Sequence, residues 1–170
     1  MAQIDRIIDT NLLIIANGDQ SPQSSPECRE NCLIALAQIM AHDHRIVIDG
    51  GPPDGSEILA EYRHKLHEAG SGFGEIFLRW LFQNWSEELS VARVPISKRN
   101  GSYEEFPEDK RLKEFDPADH KWIAVACAHH VYNEIIPEII QAADFKWQQY
   151  VSVFQEHDVN VVFMCDTDES

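Results

Sequence analysis

Ile7-Ile8-Asp9-Thr10-Asn11 decides how the rest of the chain is read. A short apolar run ends in an acid, a hydroxyl and an amide, and Leu12-Leu13-Ile14-Ile15 follows at once. In an open α/β sheet, ligands bind beyond the carboxyl ends of the strands, so an acid at that point is a candidate functional group. An Asp-Thr pair also begins many strand-to-helix turns by capping the helix, and at this point both readings stand.

Working outward, Ile4 to Ile8 is the first strand, and Gln20 to Pro26 is a polar, proline-containing loop. Ser25-Pro26 supplies a cap and a first-turn proline. Cys28, Cys32, Leu33, Leu36 and Met40 then recur at helical spacing, which predicts a helix over Glu27 to Ala41. Arg45 to Asp49 is a second, β-branched strand, and Gly50 to Gly55 a turn. Asp54 with Glu57 resembles a capping box, and the helix it would open carries Ile58, Leu59, Tyr62 and Leu66 and runs to about Ala69. Phe73, Ile76, Phe77, Trp80 and Leu81 predict a strongly apolar helix, read as core packing rather than a cofactor box.

Val91 to Ile96 is a candidate strand, and Ser97 to Lys113 a polar loop. Asp116 and Pro117 open a helix with Ile123, Ala126, Cys127 and His130 down one side. Ile135 to Ile140 reads as a strand with Pro137 near its beginning. Asp144 starts another helix, Val159 to Met164 is the last strand, and an acidic tail closes the chain. Strands alternating with helices predict one three-layer α/β/α domain over residues 1–170 with a mostly parallel central sheet. Residues 73–113 read as a helical and basic insertion within it.

Composition narrows the function classes. The 170 residues suit one domain with a substantial core, and 44% hydrophobic with 25% charged residues is an ordinary globular balance. A net charge of −15 argues against broad attraction to nucleic acid or anionic membranes. Apolar runs stop short of a bilayer span, and Asp5, Arg6 and Asp9 interrupt any signal-peptide core, so a cytoplasmic protein is expected. The four cysteines form no CxxC pair, and Cys28 and Cys32, one helical turn apart, read as buried free thiols. His42/His44 and His129-His130 belong to no HExxH arrangement and read as core or surface groups. No serine or cysteine lies in a GxSxG elbow, which removes support for a covalent hydrolase.

Four acids at element edges carry the chemistry. Asp9 follows strand one, Asp144 follows the Ile135–Ile140 strand, Asp119 enters a helix near the same edge, and Glu61 lies one turn beyond Glu57. Carboxylates gathered this way repel one another unless a cation compensates, and hard divalent ions prefer such oxygens. Two ions about 4 Å apart activate water and stabilise the leaving oxygen of a phosphodiester. Each acid also has a plain role open to it: Asp9, Asp116 and Asp144 as caps, Glu61 paired with Lys65, Asp119 at a helix dipole.

The order Ile8-Asp9-Thr10-Asn11, Ile58-Leu59-Ala60-Glu61-Tyr62, Asp119-His120-Lys121-Trp122-Ile123-Ala124-Val125-Ala126 and Ala143-Asp144-Phe145-Lys146-Trp147 resembles the PIN-domain nucleases, across nearly the whole chain. The resemblance implies a Mg²⁺- or Mn²⁺-dependent endoribonuclease with Asp9, Glu61, Asp119 and Asp144 as the acidic metal-binding positions. It also implies Asn11 as the small polar residue that orders the site, with Asp116 close enough to add a ligand. Implied partners are an RNA substrate and, in a toxin setting, a cognate antitoxin or regulatory protein; defence and RNA processing are the other settings. Lys146 departs from the pattern, standing where many members carry a further acid. The basic residues Lys98, Arg99, Lys110, Arg111 and Lys113 are candidates for contacting RNA phosphates. Exposed aromatics among Phe73, Phe77, Trp80, Phe82 and Trp85 would support a homodimer.

Three other readings compete. A haloacid-dehalogenase-type phosphatase needs an acid where Asn11 stands, and a response-regulator receiver needs a lysine that Val159 to Ser170 does not offer. The rival from another class is a catalytically silent PIN-like module that binds RNA or protein, with Lys146 as its support.

Overall fold

In the computed structural model, residues 3–18 and 25–165 are described. The chain runs β1 (Ile4–Ile8), α1 (Thr10–Asn17), α2 (Pro26–Met40), β2 (His44–Asp49), α3 (Glu57–Lys65), α4 (Phe73–Gln83) and β3 (Val91–Val94). A small hairpin, β4 (Lys98–Arg99) and β5 (Ser102–Tyr103), precedes α5 (His120–Asn133), β6 (Glu138–Gln141), α6 (Val151–Glu156) and β7 (Asn160–Phe163). Five strands form one sheet in the order β3-β2-β1-β6-β7, with every neighbouring pair parallel. The expected three-layer α/β/α architecture with a parallel sheet is what the chain forms. Among the described residues, no helix is long and apolar enough to cross a membrane.

A parallel sheet covered on both faces needs strands without polar alternation. The central strands meet that need: Ile7, Ile8, Ile46, Val47, Ile48, Ile139 and Ile140 are all fully buried. From β1 the chain moves outward to β2 and β3, then returns past β1 to β6 and β7. The connections therefore diverge between β1 and β6, which makes that crevice the switch point where such sheets bind ligands. Asp9 leaves β1 there, its backbone N–H donating to the Ile140 carbonyl at 3.1 Å.

α1 and α4 pack closely because Gly74 has no side chain: a Cβ there would lie 2.3 Å from the Leu13 carbonyl oxygen. The Asn17 side chain then accepts from the Glu75 backbone N–H at 3.2 Å. Of the stretch expected as an insertion, α4 buries Phe77, Leu78 and Leu81 in the core and β3 pairs with β2, so those parts belong to the central body. The β4–β5 hairpin pairs only with itself, as a separate two-stranded sheet.

Several boundaries differ from the sequence expectation for identifiable reasons. Ser25 caps α2 as expected, accepting from the Cys28 N–H at 3.1 Å. Asp54, however, is not the cap of α3. It lies in a 3₁₀ turn, Pro53–Gly55, and Ser56 caps instead, accepting from the Leu59 N–H at 3.0 Å. α3 stops at Lys65, four residues early, because Leu66 turns extended and buries its side chain. The Glu75 carboxylate accepts from the backbone N–H groups of His67 and Gly72, fixing the loop that follows.

The polar loop contains the β4–β5 hairpin and a 3₁₀ turn at Lys110–Leu112. β6 begins at Glu138, since Glu134 adopts a left-handed conformation and leaves Ile135 and Ile136 exposed ahead of Pro137. Of the aromatics whose exposure would support a homodimer, Phe77 and Trp85 are buried, and Phe73, Trp80 and Phe82 pack half-buried on the core. Cys28 is not a free thiol: it is disulfide-bonded to Cys165, 137 residues away, while Cys32 and Cys127 are free. Most of the loop from Gln20 and of the acidic tail lies outside the described residues.

Candidate acidic site

Asp9 is placed by two demands that its sequence context sets together. It ends a fully buried strand, and as the cap of α1 its carboxylate accepts from the Asn11 backbone N–H at 3.1 Å. The capping reading is therefore correct, and it does not exclude the functional one. Only 6% of Asp9 is exposed. Burial, with Asp119, Glu61 and Asp144 facing it, pushes its carboxyl up to about 7, against the single N–H that favours the anion. Those three neighbours are the acids that the sequence grouped with it.

Glu61 reaches the site from α3, which is held against β1 by the buried Tyr62 hydroxyl donating to the Ile8 carbonyl. One Glu61 oxygen accepts from the Thr10 hydroxyl, and the other meets the Lys121 ammonium at 2.7 Å. The Lys65 partner considered for Glu61 is not used. Lys121 is almost wholly buried; it donates to the Ala118 carbonyl at 2.6 Å and lies 5.3 Å from the Trp122 ring centroid. Asp119 sits at the junction of a 3₁₀ turn, Pro117–Asp119, and α5, and accepts weakly from the Trp147 indole at 3.4 Å. Burial, then Asp116 and Asp144, raise its carboxyl to about 6, while Trp147 and Lys121 pull the other way.

Asp144 caps the turn after β6, accepting from the Lys146 N–H at 3.3 Å, while the Lys146 side chain points into solvent. Asp116 is exposed and caps the 3₁₀ turn through the Ala118 N–H at 3.0 Å. Asn11 is exposed and orders Asp9 with its backbone. The fold thus gathers Asp9, Glu61, Asp119 and Asp144 at the switch point, with Asp116 at the outer margin beside Asp119. Among the described residues, no three of these carboxylates bring oxygens all within 4.8 Å of one another. Hydrated Mg²⁺ is bound through one or two carboxylates with waters completing its shell, so the hard, under-compensated oxygens here fit such an ion without a closed cage.

Beside the acids, beyond the ends of β2 and β3, lies a cavity of about 440 Å³ lined by residues including Asp49, Gly50, Glu57, Ile96, Lys98 and Tyr103. Asp49 builds its wall, accepting from the Ser56 hydroxyl and the Glu57 and Ile58 N–H groups. Lys98 stands at the rim, 2.6 Å from a Glu57 oxygen and 72% exposed in its side chain. Arg99 pairs loosely with Glu108 at 3.9 Å, and Lys110 and Lys113 are exposed. Arg111 is occupied elsewhere, in ion pairs of 2.8 Å with Asp109 and with Glu156 at the end of α6. That end leads into the start of β7, on the side of the sheet away from Asp9. Arg111 and His157 hold the Asp109 carboxyl well below its usual range.

Sequence reasoning missed Thr10 and Lys121 as partners of Glu61, Trp147 as a donor to Asp119, and Asp49 as the organiser of the α3 entry. Lys121 is two residues beyond Asp119, but no spacing rule indicates that its ammonium turns back onto Glu61. No known protein family, curated protein or solved structure matches the chain.

Proposed function

We propose that this chain is a Mg²⁺- or Mn²⁺-dependent endoribonuclease of the PIN type, hydrolysing RNA phosphodiester bonds at the Asp9 cluster. The observation that carries the reading is Asp9 itself: a buried carboxylate at the sheet's switch point whose charged neighbours include three further acids. An isolated fold gains nothing from that repulsion, and a divalent cation removes it. When bound, such an ion would supply a water of lowered pKa and a counter-charge for the transferring phosphoryl oxygens.

The chain's own contribution is positional. Asp9, Asp119 and Asp144 are the residues that would hold the ion, and Asn11 and Trp147 fix the carboxylates of Asp9 and Asp119. Thr10 and Lys121 clamp both oxygens of Glu61, which sets its direction beside the attacking water. Lys98, at the rim of the neighbouring cavity, is the basic side chain best placed to meet an RNA phosphate. The net charge of −15 opposes polyanion binding wherever such a cation is lacking. A cytoplasmic setting with RNA as the partner follows from the same reading, and a cognate antitoxin would belong to its toxin form.

One observation favours a second reading, the silent RNA- or protein-binding module. Lys121 already neutralises Glu61, and Lys146 stands where a further acid would strengthen metal binding. Cleavage of a mixed RNA pool by the purified chain, with Mn²⁺ or Mg²⁺ and with EDTA, separates the two. Metal-dependent cutting that disappears in Asp9→Asn is the expected result. Intact RNA throughout, from folded protein, gives the case to the silent module.

A further inference from the structure

Three of the four cysteines meet at one point. Cys28 and Cys32 lie one turn apart on α2, and Cys165 is two residues beyond the end of β7. All three are buried, and their sulfurs lie within 4.8 Å of one another. A disulfide between Cys28 and Cys165 uses only two of them.

We propose that Cys28, Cys32 and Cys165 form a thiolate site for a thiophilic d¹⁰ cation, Zn²⁺ or Cu⁺, which replaces the Cys28–Cys165 disulfide when the chain is reduced. Three thiolates are a soft donor set that selects such ions over Mg²⁺. With metal–sulfur bonds of about 2.3 Å, sulfurs around one ion sit about 4 Å apart, so side-chain rotation within the observed cluster is sufficient. The backbone is already fastened: Asn31, between the two helix cysteines, donates its side-chain amide to the Met164 carbonyl at 2.9 Å. Sequence spacing alone conceals the site because its third ligand comes from the far end of the chain.

The conversion balances. A dithiol gives two electrons and two protons to the Cys28–Cys165 bond and leaves as its own disulfide. The three thiols then release their protons to solvent as the cation binds, which the ion's charge favours despite burial. Either state fastens the end of β7 to the first turns of α2. In a reducing compartment the covalent fastening would be lost and the metal form would remain.

The test uses the full chain, reduced with a dithiol and desalted without oxygen, then titrated with Cd²⁺ in excess Mg²⁺ to mask the carboxylates. One Cd²⁺ per chain, with ultraviolet sulfur-to-cadmium charge transfer, is expected in the wild type and in Cys127→Ser. Both signals should be lost in Cys32→Ser, in Cys32→Ala and in the oxidised protein. Circular dichroism identifies any variant that fails to fold, and Zn²⁺ competition against a chromophoric chelator repeats the measurement on wild type alone. No Cd²⁺ charge transfer in the reduced wild type, or the same signal in folded Cys32→Ala, overturns the proposal.

Discussion

A buried aspartate lies near each end of strand β1, Asp5 within it and Asp9 just past it, and the two live in opposite surroundings. Asp5, 3% exposed, receives a bidentate Arg45 at 2.9 and 2.7 Å and the His129 ring at 2.7 Å. Burial pushes its carboxyl upward, but His129 and Arg45 outweigh it and leave the value lowered. Asp9, 6% exposed, has one backbone N–H and three acids, and its carboxyl rises to about 7. Burial of a carboxylate therefore does not identify a site; the charge of what surrounds it does. Asp5 is a finished structural contact, whereas Asp9 lacks a positive partner.

Asp9→Asn breaks the comparison most completely. Metal-dependent RNA cleavage should vanish while the chelated protein becomes more stable at pH 8. The sign follows from proton binding: Asp9's folded value lies above the ordinary 3.8, so the native state holds the extra proton. Stability from neutral Asp9 is complete below about 3.8 and is lost as pH rises to about 7. The full swing is on the order of 4 kcal/mol, and the asparagine should recover part of it. Thermal melts of both proteins at pH 5 and pH 8, with EDTA and with Mn²⁺, measure this. A wild type that melts no lower at pH 8 than at pH 5 in EDTA would mean that Asp9 is compensated.

Asp5→Asn should do the reverse. Removing this carboxylate strands Arg45 and the buried His129, costing about 3 kcal/mol near neutral pH. Because the Asp5 value is lowered in the fold, its contribution is present above the ordinary 3.8 and fades as acid protonates it. The variant should therefore lose stability at pH 7 and differ less from wild type under acid, by denaturant titration. At a temperature where it remains folded, its cleavage should match wild type.

The same two residues show what the sequence could and could not convey. Asp9 was readable because strand, cap and apolar run are adjacent, and Ile46-Val47-Ile48 and Ile139-Ile140 declared a parallel core in the same local way. Asp119 and Asp144 were readable as acids at the sheet's edge because strand direction fixes that edge. The pairing of Asp5 with Arg45 and His129 crosses 40 and 124 residues, and no periodicity encodes such distances. The Cys28–Cys165 bond and the Lys121–Glu61 pair escaped for the same reason. Asp54 satisfies the spacing rule for a cap, but the true cap is Ser56, whose hydroxyl is held by Asp49 seven residues earlier at the end of β2.

Lys121→Met sharpens the contrast by removing the buried cation that pairs with Glu61. Glu61 keeps Thr10 and partial hydration, so the loss should be about 1–2 kcal/mol at pH 8 in EDTA. Added Mn²⁺ should restore the melting temperature more in this variant than in wild type. If Mn²⁺ stabilises both equally, Lys121 is a packing contact with Trp122 and not a counter-charge to the acids.

The smallest effects separate the basic residues by the end of the sheet they occupy. Lys98 borders the cavity beside the acids and is largely exposed, so its charge remains available to a phosphate despite Glu57. Arg111 is spent on Asp109 and Glu156, toward the far edge. RNA affinity measured across salt concentrations, with Asp9→Asn to prevent cutting, should therefore distinguish them. Lys98→Ala should weaken binding several-fold and reduce the salt slope by about 0.7, the value for one single-strand phosphate contact. Arg111→Ala should leave that slope unchanged and lower only the melting temperature. The opposite ranking would send the RNA across the α6 side of the molecule, away from the carboxylates, and would leave Asp9 without a substrate to cut.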